Sequence, residues 1–162
     1  MIRNVQIPDA EQIATIYNYY VKNSIVTFDK DVFTRHDFEE RIKIISKGYP
    51  FIVYEKNNII LGYAYANKWR EKPAYKHTVE STVYLKPSAF GKKIGTQLYK
   101  HLIEKLKNQK FKVIIGGLSL PNDTSIKLHE KLGFKKVGHF EKVGKKFGKL
   151  IDVGFWQLNI ND

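Results

Sequence analysis

Between Thr78 and Phe134 the chain runs through a β-branched segment, a glycine–lysine loop, an amphipathic segment, an apolar segment and an asparagine-opened segment. Thr78–Lys86 reads as a strand, with Val79, Ser81, Val83 and Leu85 on one face and Glu80, Thr82 and Tyr84 on the other. After the loop, Ile94, Leu98, Leu102 and Leu106 recur four apart and predict a helix over Ile94–Gln109. Val113–Leu118 is continuously apolar, as suits a strand buried on both faces. Asn122–Leu132 is helical again, with Gly133 as a left-handed terminator. A strand ending in such a loop presents free backbone N–H groups and a helix N-terminus, where a phosphate-bearing ligand binds.

The flanks complete the element order. Ile2–Gln6 alternates like a short strand, and Asp9 is the expected N-cap of a helix to about Lys22, with Gln12 returning the bond. Asn23–Phe33 lacks periodicity and reads as a loop. Thr34 with Asp37 caps a second helix carrying Phe38, Ile42 and Ile45, and Gly48-Tyr49-Pro50 stops it. Phe51–Glu55 and Ile59–Asn67 are strands around a Lys56-Asn57-Asn58 turn, and Val137–Val143 and Ile151–Leu158 close the chain as strands. The order β, two helices, three strands, helix, strand, helix, two strands is that of one mixed α/β domain over residues 1–162, with no internal repeat.

Composition narrows the chemistry. With no cysteine in 162 residues, disulfides, thiolate metal sites and cysteine nucleophiles are excluded. The five histidines (His36, His77, His101, His129, His139) show no ligand spacing with carboxylates, so no metal is expected. No apolar run approaches the roughly 18–20 residues that span a bilayer, and Met1-Ile2-Arg3-Asn4 has no secretory signature, so a cytoplasmic protein is expected. A formal charge of +12 favours anionic ligands.

Three groups of residues carry candidate chemistry. Gly91 and Gly95 let backbone amides approach a pyrophosphate, and Lys92 and Lys93 add charge. An ordinary strand-to-helix turn would also accommodate these glycines. Ser125 and His129, at i and i+4, share a helical face stacked toward Asn122. His129 is either a surface histidine or a proton donor to a leaving group. Glu80 stands in an otherwise uncharged strand, either facing outward or lodged in a cleft where burial would raise its pKa and suit it as a base.

Five runs sharpen the reading: Thr78-Val79-Glu80-Ser81-Thr82-Val83-Tyr84, Gly95-Thr96-Gln97-Leu98-Tyr99, Leu120-Pro121-Asn122-Asp123, His129-Glu130-Lys131-Leu132-Gly133-Phe134 and Asp152-Val153-Gly154-Phe155-Trp156-Gln157. In this order and spacing they resemble the GNAT superfamily of N-acetyltransferases, within it the phosphinothricin and methionine sulfoximine N-acetyltransferases. The superfamily loop pattern [RQ]-x-x-G-x-[GA] falls on Phe90–Gly95.

The resemblance implies a central mixed, mostly antiparallel sheet of about seven strands, splayed at strands 4 and 5 and flanked by about four helices. It implies that acetyl-CoA binds in the splay. Val83, Tyr84 and Leu85 would pair its pantetheine arm. Amides of Gly91, Lys92, Lys93, Ile94, Gly95 and Thr96 would hold its pyrophosphate, and Asn122 and Ser125 would lie beside it. Glu80 would be the base that deprotonates the acceptor ammonium, a backbone N–H near Tyr84 or Leu85 would steady the oxyanion, and His129 would act as acid or orient the substrate. Phe28, Lys72, Tyr75 and Thr82 match substrate-binding positions, and a homodimer is implied, with Phe147, Phe155 and Trp156 as aromatics that either join protomers or fill the core. Phe90 departs from the usual Gln or Arg, Lys93 from a glycine, Lys72 from an arginine and Leu150 from an aromatic. The expected acceptor is a small amino-acid-like amine. Alternatives are a protein N-terminus, a polyamine, an aminoglycoside, or a non-catalytic regulator that binds CoA or nucleic acid.

Overall fold

The computed structural model describes residues 1–160. Its elements are β1 (Ile2–Asn4), α1 (Ala10–Asn23), α2 (Arg35–Ser46), β2 (Phe51–Lys56), β3 (Ile59–Lys68), β4 (Thr78–Leu85), α3 (Ile94–Asn108), β5 (Val113–Leu120), α4 (Asp123–Lys131), β6 (Lys135–Lys146) and β7 (Lys149–Asn159). The strands form one seven-stranded sheet in the order β1-β2-β3-β4-β5-β7-β6. Every neighbouring pair is antiparallel except β4 and β5. Element order and the mixed, mostly antiparallel sheet match the sequence reading.

Alternation along the strands sends side chains into two apolar layers. Ile52, Ala64, Val79 and Ile114 pack with Leu98, Leu102 and Leu106 of α3 and with Trp156. Phe51, Val53 and Tyr63 pack with Ile13, Ile16 and Tyr17 of α1 and with Phe38 and Ile42 of α2. The three α3 leucines are wholly buried, each worth about 1.5–3 kcal/mol relative to exposure, so the four-residue repeat fixes which face of α3 meets the sheet. Trp156 belongs to this core, Phe155 is half-buried and Phe147 is exposed.

Local signals were honoured unevenly. Thr34 and Asp37 form the expected capping box of α2. Asp9 makes no side-chain cap on α1. Its carboxylate instead receives both terminal nitrogens of Arg3 at 2.9 Å and the Gln6 amide at 2.7 Å, closing a 3-10 turn over Ile7–Asp9. Gln12, expected to return the capping bond, accepts from the Ile60 amide at the start of β3. A charged partner and a strand edge offered stronger bonds than the local cap. The β6–β7 hairpin outruns its predicted ends, because register shifts at Lys136/Gly138 and Phe140/Gly144 break the alternation that marks a strand. Its turn, Phe147-Gly148, has both residues at positive φ, as the twist of a two-residue hairpin requires.

Candidate active site

The two parallel strands pair at only three positions: Thr78 with Val113, Val79 with Ile114 and Glu80 with Ile115. Beyond Glu80, β4 stays bonded to β3 and β5 stays bonded to β7, so the strands part along their facing edges. A cleft of about 890 Å³ opens there, bordered by Ser81–Leu85 on one side and Gly116–Ser119 on the other. Strand edges without a strand partner offer main-chain N–H and C=O groups to a ligand.

The fork gives the cleft two chemically different faces. Ser81 points toward α3, where its hydroxyl bonds that of Tyr99. Tyr84 points the other way, its ring against Tyr17 and Tyr20 of α1. On the opposite edge, a Cβ at Gly116 would meet His129 and Tyr99, whereas a Cβ at Gly117 would meet Phe155 and lie 3.7 Å from Glu80 Oε1. The α3–α4 face therefore carries Tyr99, His129, Gly91, Gly95 and Asn122. The α1–α2 face carries Glu80, Phe155 and the loop holding Phe28.

The N-terminus of α3 has backbone groups that suit an anion. Helix α2 has a side-chain cap from Thr34 and α4 one from Asn122, whose Oδ1 accepts from the Ser125 amide at 3.2 Å. Like α1, α3 has no side-chain cap, so the amides of its first turn lack the partner that α2 and α4 receive, and unlike those of α1 they lie beside the cleft. Gly91 (φ 77°) and Lys93 (φ 62°) both take left-handed backbone to turn the chain into the helix. Gly91 and Gly95 border the cleft. Lys92 and Lys93 are exposed and outside its lining, the Ile94 side chain is buried in the core, and Thr96 is half-buried. Ile94 and Thr96 thus have main-chain amides to offer. Because Lys93 pays for its Cβ at positive φ, Lys93→Gly is expected to stabilise the fold by about 0.5–1 kcal/mol, measured by urea unfolding.

His129 is buried at 6% exposure, which removes the surface reading. Its Nδ1 lies 2.7 Å from the Ser125 carbonyl, a group that only accepts, so Nδ1 carries the proton. Its Nε2, 3.0 Å from the Tyr99 hydroxyl, then accepts from it. Burial lowers the His129 pKa and keeps the ring neutral, opposed by the Ser125 bond. The result is a directed chain in which Tyr99 donates to His129 and Ser81 donates to Tyr99.

Glu80 is half-buried at the fork. Desolvation raises its pKa above the usual 4.5, with the charge of Arg70 opposing. Arg70 lies 4.5 Å over the Trp69 ring, which packs edge-on against Phe155. Val83, Tyr84, Leu85, Ser125, Thr82 and Phe28 all border the cleft. Lys72 and Tyr75 do not: they are exposed at the short turn Pro73–Tyr75 and its entry. Sequence reasoning missed Tyr99, Arg70, Phe155, Gly116 and Gly117. The one available signal was the glycine pair, since glycine inside an apolar strand marks a close approach. Among the described residues, no three His, Cys, Asp or Glu side chains gather as a metal site. No helix there is long and apolar enough to cross a membrane.

Comparison with known proteins gives the same picture. Residues 2–154 match the family model described as "Acetyltransferase (GNAT) domain". The chain is 36% identical to the phosphinothricin N-acetyltransferase of Streptomyces viridochromogenes, over 96% of this chain and 85% of that protein. It is 32% identical to the L-methionine sulfoximine/L-methionine sulfone acetyltransferase of Salmonella typhimurium, over 99% and 95%. Among solved structures, the phosphinothricin acetyltransferase of Sinorhizobium meliloti in complex with AcCoA superposes with a TM-score of 0.95 at 31% identity, covering 99% of this chain and 88% of that one. The forked sheet, the uncapped helix and these relationships agree: the chain belongs to the GNAT family and is an N-acetyltransferase.

Proposed function

We propose that this N-acetyltransferase moves the acetyl group of acetyl-CoA onto the amine of a small amino-acid-like molecule, with Glu80 as the base. The observation that carries the reading is the position of Glu80. It stands where β4 and β5 part, desolvated, on the face opposite the uncapped α3 N-terminus. Donor and acceptor thus have separate faces that meet at one point. The activities for which these relatives are named, on phosphinothricin and methionine sulfoximine or sulfone, support an acceptor of this class.

The residues fit acetyl-CoA, which supplies an acyl thioester. The β4 edge at Val83, Tyr84 and Leu85, where the Leu85 carbonyl already accepts from the Tyr20 hydroxyl, would hold the pantetheine amides, the amides of Gly91 and Ile94–Thr96 the pyrophosphate, and Asn122 and Ser125 the adjoining wall. Glu80 takes the proton from the acceptor ammonium and frees the lone pair that would attack the thioester carbonyl carbon. As the N–C bond forms the C–S bond would break, and the departing CoA sulfur would take up the further proton that the new amide nitrogen sheds. A main-chain N–H of the β4 edge donates to the carbonyl oxygen as charge develops on it. His129, already accepting from Tyr99, orients this wall rather than giving up a proton. Arg70 offers a cation to an acceptor carboxylate, and Phe28 and Thr82 touch the acceptor. Lys72 and Tyr75, which do not border the cleft, are given no role in this reading. We include in the proposal a cytoplasmic homodimer. Exposed Val137, Phe140, Val143, Phe147 and Leu150 along the β6–β7 hairpin supply apolar surface for a second copy.

The test is release of CoA thiol on mixing the protein and acetyl-CoA with methionine sulfoximine, methionine sulfone, phosphinothricin, a polyamine and an aminoglycoside. Release with one or more of the first three and none with the polycations is expected. Release only with the polycations, or with no amine, contradicts the proposal.

A further inference from the structure

The loop between α1 and α2 reaches the acceptor face of the cleft through Val26, Thr27 and Phe28. Two ties come from α1 itself. Asn18 exchanges two bonds with the main chain of Phe33, at 2.8 and 2.9 Å, and the Tyr17 hydroxyl bonds Thr27 and Asp29. The third comes from the far end of the chain. Lys146, at the tip of the β6–β7 hairpin and only 2% exposed, directs its ammonium at the carbonyls of Tyr20 (3.3 Å), Ser24 (2.6 Å) and Thr27 (2.8 Å). Three protons meet three carbonyls, which is the full donor capacity of the group. Two residues earlier, the Phe28 ring fills the space a side chain would take at Gly144, where a Cβ would lie 2.3–3.0 Å from three ring carbons. The hairpin tip thus grips the loop by charge and leaves a recess for its aromatic residue.

We propose that Lys146 and Gly144 are positioning residues. They clasp the α1–α2 loop to the hairpin and so fix the Phe28 ring as the wall that limits the side chain of the acceptor. The proposal rests on the acceptor lying on the Glu80 face, as argued under the proposed function. The loop needs such a clasp. Between Ser24 and Lys30 the loop has no helix or sheet ladder of its own, so the bonds from Lys146 to its carbonyls help to offset the entropy of ordering it. Phe28 remains 37% exposed while bordering the cleft, so one part of its ring rests on Gly144 and another faces the acceptor space.

Two variants read the clasp differently. Gly144→Ala pushes the ring from its recess. The KM for methionine sulfone should rise about fivefold or more, with the KM for acetyl-CoA within about twofold of the original. In the Gly144→Ala/Phe28→Ala double variant there is no ring to displace, and both constants should match those of Phe28→Ala alone. Lys146→Met loosens the loop, so trypsin cleavage after Lys30 should accelerate by about tenfold in the folded protein, an outcome that needs no acceptor. An unchanged acceptor KM in Gly144→Ala, effects that simply add in the double variant, or equal trypsin rates would each overturn the proposal. A wild-type protein that acetylates no amine instead contradicts the proposed function, and the trypsin comparison still judges the clasp. Should Lys146→Met fail to fold, the Gly144→Ala kinetics decide.

Discussion

Glu80→Gln lowers kcat/KM for the amine by roughly a hundred- to ten-thousand-fold, the range of a general base, and leaves acetyl-CoA affinity within about twofold. The expectation follows from the faces of the fork. Glu80 stands on the α1–α2 side, whereas the α3 N-terminus and Asn122 line the other. Glutamine keeps the shape of the side chain and removes its ability to take a proton. The pH profile separates this role from a structural one. Only ionised Glu80 can accept a proton, so kcat/KM falls as pH drops through a pKa that desolvation has raised above 4.5. That acid limb should be missing in Glu80→Gln. Kinetics of CoA-thiol release across pH, with calorimetry for the coenzyme, check both halves. Retained turnover in the variant would remove Glu80 from the chemistry.

Gly116→Ala is the second large effect, and it acts through packing. The new Cβ would lie 2.7 Å from Nε2 and 2.9 Å from Cδ2 of His129. The imidazole has little room to retreat, because Phe134 and Tyr99 stand edge-on to it with centroids at 5.0 Å. Displacing the ring adds strain of about 1–3 kcal/mol. It also breaks the bond from Tyr99, leaving a buried polar atom unpaired at about 1–3 kcal/mol more. A loss near 3 kcal/mol lowers Tm by roughly 10 °C in a chain of this size. Differential scanning calorimetry should show it, together with weaker acetyl-CoA binding, since the same ring walls the coenzyme face. Gly117→Ala makes a useful contrast: its Cβ meets the edge of Phe155 at 3.1 Å and Glu80 Oε1 at 3.7 Å, and belongs to the acceptor face.

Local rules carried the sequence reading as far as neighbouring residues decide structure. The Thr34–Asp37 box, the leucine spacing of α3 and the Gly133 terminator are all settled within a few residues, and each was legible. Asp9 was misread because its partner, Arg3, belongs to another element and binds with two charged hydrogen bonds. The site divided in the same way. The Gly91–Gly95 loop and the lone carboxylate of β4 stand out in one segment. Tyr99, Arg70 and Phe155 matter only because β4, α3 and β7 meet around the fork, which no single segment encodes. His129 was named from its helical face, and the Ser125 carbonyl one turn back fixes its tautomer, yet the rings that bury it, Tyr99 and Phe134, come from other parts of the chain. Lys72 and Tyr75 came from similarity of position alone, and neither borders the cleft.

Amide hydrogen exchange with and without acetyl-CoA bears most directly on the idea that the parted strands and the uncapped helix together hold the donor. Peptides covering Ser81–Leu85 and Gly91–Thr96 should gain protection on saturation, while α2 (Arg35–Ser46), on the other side of the sheet, exchanges as before. Unchanged exchange in both segments at millimolar acetyl-CoA, or protection confined to regions outside the cleft, would contradict it.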